Sequence, residues 1–151
     1  MKTIRYRCGY KYQLAEEYSL KLEMLQRHGA WSEAHGEDGE RDAGIKTEYI
    51  ELSADGVLTI KAGYAWDGPS GPTIDTKSFM RGSLVHDALY QLMRNEHLPA
   101  SCREEADQEL YRLCREDGMC RFRAWYVLLG VRKGAGFAAS PKSRKSICSA
   151  P

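Results

Sequence analysis

Apolar and polar residues alternate through the first part of the chain. Ile4, Tyr6 and Cys8 alternate with polar or charged neighbours, Tyr10, Tyr12 and Leu14 do so again, and Tyr18, Leu20, Leu22 and Met24 once more. Successive strand side chains point to opposite faces, so this period of two predicts strands with one face in a core. From His28 to Gly44 the period disappears into a Gly- and acid-rich stretch, read as an exposed loop. Strand pattern returns at Ile45 to Leu52. Asp55-Gly56 then predicts a hairpin turn into Val57-Leu58-Thr59-Ile60-Lys61-Ala62, because this dipeptide accepts the positive φ that tight hairpins need.

Residues 63–76 read as a loop whose glycines and prolines restrict the backbone to specific turns. Beyond it the period becomes helical. Leu84, Val85, Ala88, Leu89, Leu92 and Met93 form one stripe, in a helix starting near Ser78 that Asp75 or Thr76 caps. A second helix follows, with Ser101 and Glu104 spaced as a capping box, a stripe of Cys102, Ala106, Leu110, Leu113 and Cys114, and a stop at Gly118. A third runs through Phe122, Trp125, Tyr126, Leu128, Leu129 and Val131 to Gly134, its aromatics at core spacing. Strands first and helices after predict an α+β protein, an N-terminal antiparallel β-sheet with a three-helix C-terminal region packed against it. One domain is expected over residues 1–137, with the acidic loop at 28–44 exposed and a basic, mobile tail at 138–151.

Composition narrows the classes. At 151 residues the chain suits one domain that buries a core without staples, and 42% hydrophobic with 28% charged residues is ordinary for a globular protein. A net charge of +1 offers no global attraction to nucleic acid or to anionic membranes. Glu33, Glu37, Asp38, Glu40 and Asp42 form one acidic stretch, whereas Arg121, Arg123, Arg132, Lys133, Lys142, Arg144 and Lys145 make the last third basic. The basic residues around Phe122, Trp125 and Tyr126 are read as a solvated rim rather than a nucleic-acid surface. Cys8, Cys102, Cys114, Cys120 and Cys148 are odd in number and contain no C-x-x-C pair, which suggests reduced thiols and neither a zinc nor a redox motif. Met1 to Arg7 lacks the apolar core of a signal peptide, and no stretch approaches the ~20 apolar residues of a membrane span.

The candidate chemistry lies in Ser83-Leu84-Val85-His86-Asp87-Ala88-Leu89-Tyr90. At about 100° per residue His86 falls at the edge of its apolar stripe and Tyr90 one turn further along the same edge. Asp87 points further round, away from the core stripe. Asp107 takes a similar border position on the second helix, beside Tyr111. The short connection from Glu96 to Ala100 makes the two helices antiparallel neighbours, so these borders can meet. His86, Tyr90 and Asp107 would then form a hydrogen-bonded group in which the carboxylate fixes the imidazole tautomer and raises its basicity. A solvated alternative pairs Asp87 with Arg81 or Arg94, and Asp107 with Arg103 or Arg112, in surface ion pairs of little energetic weight. Asp67 and backbone carbonyls of its Gly-rich loop offer hard oxygen ligands for Ca²⁺ or Mg²⁺, or simply a stiff turn. His28, His35 and His97 have no ligand-spaced partner. Ser70 lacks a nucleophile elbow, and no phosphate-binding glycine loop occurs.

Taken together, Trp66-Asp67-Gly68-Pro69-Ser70-Gly71-Pro72, His86-Asp87-Ala88-Leu89-Tyr90 and Arg103-Glu104-Glu105-Ala106-Asp107 resemble a family of short proteins encoded by bacteriophages and prophages, classed as a domain of unknown function. The resemblance covers about Tyr49 to Gly136, with a shifted register around Ser70. A weaker likeness is to prokaryotic phospholipases A2, which also pair a His-Asp-x-x-Tyr helix with a later aspartate-bearing helix. That likeness implies His86 as the water-activating base, Asp107 as its orienting group, Asp87 as a Ca²⁺ ligand and Gly68 to Gly71 as a calcium loop. The disulfides and secretion signal of that family have no counterpart here. The phage resemblance implies a virion or assembly component that contacts other phage structural proteins or itself, made in the host cytoplasm and carried in the virion, with His86, Asp107 and Asp87 as a structural network. The phospholipase likeness implies instead a metal-assisted hydrolase used in host penetration or lysis.

Overall fold

The computed structural model describes residues 6–7, 12–22, 44–68 and 76–143. Ile4, Cys8, Tyr10, Met24 and the acidic loop fall outside the described residues, as do residues 69–75 and 144–151. Among the described residues seven short strands precede three helices: β1 (Tyr6–Arg7), β2 (Tyr12–Leu14), β3 (Tyr18–Lys21), β4 (Ile45–Lys46), β5 (Ile50–Leu52), β6 (Val57–Ile60) and β7 (Ala65–Trp66), then α1 (Lys77–Arg94), α2 (Arg103–Glu116) and α3 (Arg121–Ala138). The α+β arrangement predicted from the periodicity is the one found.

The strands form two antiparallel sheets, ordered β1-β2-β7 and β3-β6-β5-β4. In β3, Tyr18 and Leu20 are buried while Ser19 and Lys21 are exposed, so alternation in sequence is alternation of faces. On the outer face Ser19 and Thr59 hydroxyls bond across the ladder at 2.9 Å. The Asp55-Gly56 turn joins β5 to β6, with Gly56 at φ 82°. Ile45 to Leu52 is not one strand. The Thr47 hydroxyl bonds Ile50 in both directions, donating to its carbonyl at 2.9 Å and accepting from its N–H at 3.0 Å, and this folds the segment into a β4–β5 hairpin.

α1 is buried round most of its circumference, from Phe79 through Met93, and lies between the sheets and α2. One apolar cluster joins Leu20, Leu52, Leu58 and Ile60 of the sheet to Leu84, Val85 and Leu89 of α1 and Ala106 and Leu113 of α2. A second joins Phe79, Leu110, Cys114, Met119, Ala124 and Val127, seating α3 on α2. The helices α1 and α2 pack closely at Gly82, where an added Cβ would sit 3.0 Å from both Cys114 Sγ and Leu110 Cδ1. Contacts from Arg81 to Glu116, Gly82 to Cys114 and His86 to Asp107 run in opposite directions along the two chains, so the helices are antiparallel.

Several helix ends differ from expectation. Thr76 holds the N-cap position of α1, but its hydroxyl meets that of Ser78 rather than a backbone amide. The Ser101–Glu104 capping box does not form. Ser101 lies in a 3₁₀ turn, Ala100–Cys102, that feeds α2 from Pro99, and α2 begins at Arg103 without a side-chain cap. α3 continues past Gly134 to Ala138. Ala139, inside the 138–151 segment that composition reads as a mobile tail, is 3% exposed and belongs to the main core, with a further 3₁₀ turn at Pro141–Ser143. Gly118, at φ 88°, ends the second helix as expected.

Candidate active site

His86 and Tyr90 are one helical turn apart on α1, and their rings lie 4.0 Å centroid to centroid. Across the helix pair Asp107 is fully buried. Its Oδ1 is 2.8 Å from His86 Nε2 and accepts the Tyr90 hydroxyl at 2.8 Å. The structure thus brings together the three residues placed at facing helix borders, and Asp107 is not in the solvated pairing with Arg103 or Arg112. Arg112 instead holds Glu109 and Glu116.

The geometry assigns the ring's nitrogens. A carboxylate accepts, so the neutral imidazole carries its proton on Nε2 and its lone pair on Nδ1. Among the described residues Nδ1 takes no hydrogen bond. The His86 side chain retains 9% exposure while that of Asp107 has none. Burial, together with the Asp107 carboxylate that it bonds, pushes the Tyr90 hydroxyl well above the ordinary phenol range, so Tyr90 stays a donor. Asp107 Oδ2 has no hydrogen-bond partner among the described residues.

Asp87, on the adjacent helical position, is half-buried. Burial raises its carboxyl from the ordinary range to about 6; His86 and Arg94 pull it back, the charge of Asp67 pushes it further up, and the Asp67 backbone amide favours the ionised form. Asp67 reaches this position because β7 is anchored on α1: Trp66 Nε1 donates to Ser83 Oγ at 3.2 Å, and Ser83 and Asp87 are one turn apart. Gly68 follows at φ 71°, and a Cβ there would sit 2.5 Å from the Tyr12 ring. The chain leaves β7 over Tyr12 by a path that only glycine takes without strain. Tyr64, buried nearby, has its hydroxyl pushed up first by burial and then by Asp87. Sequence reasoning did not place Tyr64 here, since it lies outside every helical or strand stripe.

A carboxyl whose folded-state value is raised binds a proton more tightly in the folded protein than in the unfolded chain. Its contribution is therefore fully present below about pH 4 and is lost as pH rises through about 6. Asp87→Asn is expected to flatten that slope and to stabilise the protein at pH 7 by roughly 1–2 kcal/mol, after discounting for partial exposure. Chemical denaturation of both proteins from pH 4 to pH 7 measures it, and parallel curves would show that Asp87 is not desolvated.

Asp87 and Asp67 are the two candidate metal ligands, and both are hard oxygen donors. Among the described residues no three His, Cys, Asp or Glu side chains converge on a metal position. Ser70 and most of the Gly68 to Gly71 segment fall outside the described residues. The Cys102 and Cys114 thiols are buried and that of Cys120 is exposed, and burial raises Cys114 to about 12, with the charge of Asp117 adding to it. No helix among the described residues is long and apolar enough to cross a membrane.

Sequence reasoning missed a second buried, charged group. Arg81 is 4% exposed. It donates from Nε to Asp117 at 2.9 Å and from Nη2 to Glu116 at 2.8 Å, and its Nη1 lies 3.5 Å from the Tyr18 hydroxyl. Burial alone would lower its proton affinity, but Asp117 and Glu116 outweigh this and hold it firmly charged. This group ties α1, the end of α2 and β3 together at a distance from His86.

No protein-family model matches the chain, and neither the curated proteins nor the solved structures contain a match.

Proposed function

We propose that the protein is a bacteriophage-encoded hydrolase in which His86 is a general base for attack of water on a carboxylic ester, the phospholipid esters of a host envelope being the substrate class. The observation that carries this is the commitment of one imidazole nitrogen to a fully buried carboxylate while the other takes no hydrogen bond among the described residues. A buried ion or ion pair is a poor device for stability alone, since well-packed apolar groups of similar volume serve as well or better. Held by Asp107, itself held by Tyr90, the ring is fixed in the tautomer that accepts a proton at Nδ1.

The chemistry balances within the chain. Nδ1 takes a proton from water as the oxygen bonds to the carbonyl carbon. The imidazolium formed is stabilised by Asp107 and returns the proton to the departing alkoxide as the carbon–oxygen bond breaks. Asp87 and Asp67 would hold a Ca²⁺ ion; their mutual repulsion is what a cation relieves, and a bound cation supplies polarisation of the ester carbonyl. The phage origin is supported by the three ordered motifs around Asp67, His86 and Asp107.

A second reading makes the same residues a structural network in a virion or assembly component. One observation favours it: His86 is only 7% exposed, and the surface clefts around Met93, His97 and Pro99 and around Ser101 and Glu104 lie at the C-terminal end of α1 rather than at the imidazole. The test is fatty-acid release from phospholipid vesicles by the wild type and by His86→Ala during a calcium titration. The hydrolase reading expects release that saturates with calcium and is lost in the variant. Absence of release in the wild type, or equal release by both proteins, returns the group to a structural role.

A further inference from the structure

α3 has two faces, and the aromatic one is outside. Ala124, Val127 and Leu128 are 0%, 4% and 9% exposed against α2 and the core, whereas Phe122, Trp125 and Tyr126 are 75%, 50% and 52% exposed. This overturns the expectation that the aromatics enter the core. At about 100° per residue Phe122, Trp125, Tyr126 and Lys133 share one outward arc, with Arg132 on its border. Arg132 and Lys133 are exposed, and from Arg121 to Ala138 the helix contains Arg121, Arg123, Arg132 and Lys133 and no acidic residue. Three large exposed rings on adjacent turns are an unusual surface for a monomer in water.

Charge complementarity chooses among occupants. A second copy docked through this face would bring together two helices that each carry four cations and no acidic residue, a repulsive arrangement. A single-stranded nucleic acid needs rings free to stack on bases, but Phe122 and Trp125 lean on each other, 6.1 Å apart at 38°. A lipid surface fits both features. Trp and Tyr rings have an apolar body and a polar tip suited to the headgroup boundary, and lysine and arginine beside them meet lipid phosphates. We propose that α3 is an interfacial helix, docking the protein on an anionic lipid surface with Phe122, Trp125 and Tyr126 in the headgroup region and Arg132 and Lys133 on the phosphates. The proposal rests on this helix alone and is separable from the hydrolytic reading.

Flotation of the full-length protein with phosphatidylcholine vesicles, with and without phosphatidylglycerol, tests it. Binding is expected on the vesicles containing phosphatidylglycerol, weakened at high salt, and reduced at least about tenfold by Phe122→Ala with Trp125→Ala and, separately, by Lys133→Glu. These side chains are exposed, so the melting midpoint should hold in each variant and serves as the folding control. Absence of vesicle binding, or binding undiminished in both variants, overturns the proposal. So does binding of a single-stranded oligonucleotide, or a dimer abolished by the same substitutions, in place of vesicle binding.

Discussion

Asp107→Ala is expected to destabilise the protein by about 3 kcal/mol, because it leaves two buried donors, the His86 ring N–H and the Tyr90 hydroxyl, without an acceptor. For a chain of this size that is a fall in melting temperature of roughly 6–12 °C. Tyr90→Phe alone should cost about 1 kcal/mol, since Asp107 keeps His86. In the Asp107→Ala background the same change should cost almost nothing, because the hydroxyl has already lost its acceptor. Additive costs would show that the Tyr90 bond to Asp107 does not form. Thermal and denaturant unfolding of the two single variants and the double variant closes this cycle.

Arg81→Ala is the second large effect. The guanidinium side chain is 5% exposed and faces Asp117, whose side chain is 10% exposed, so truncation strands a buried carboxylate and opens a cavity. A loss of about 3–5 kcal/mol is expected by urea denaturation at neutral pH. Asp117→Asn added to Arg81→Ala should recover part of that loss by removing the stranded charge. A loss below about 1 kcal/mol in the single variant would mean that water reaches the pair and that it behaves as a surface ion pair. Both predictions concern buried charge, but they differ in kind: Arg81 joins helix ends to a strand, whereas Asp107 holds a titratable ring at a defined angle.

Much of the site was legible because helical period and a short connection are local signals. His86 and Tyr90 fall on one stripe edge and Asp107 on another, and a connection from Glu96 to Ala100 forces the helices to run antiparallel, so the two edges meet. Asp55-Gly56 announced its hairpin for the same local reason. What was not legible depends on contacts distant in sequence. Arg81 and Asp117 are 36 residues apart and share no period, and nothing near Trp66 indicates that its indole will bond Ser83 and carry Asp67 to Asp87. α3 misled because apolar residues occupy both of its faces: Ala124, Val127, Leu128 and Val131 on one, and Phe122, Trp125 and Tyr126 on the other. Period alone cannot choose between them, and the smaller set packs more closely on α2. The capping box failed because Ser101 lies inside the 3₁₀ turn that follows Pro99, not at the extended N-cap position from which its hydroxyl could reach the Glu104 amide.

The central claim is that His86 works as a base rather than only holding two helices together. The rate of fatty-acid release by His86→Ala beside the wild type, at matched folded fraction and saturating calcium, tests it most directly. Removal of a general base is expected to slow the reaction by about 10²–10⁴-fold while leaving the fold intact. A variant that stays folded and hydrolyses at the wild-type rate would contradict the account.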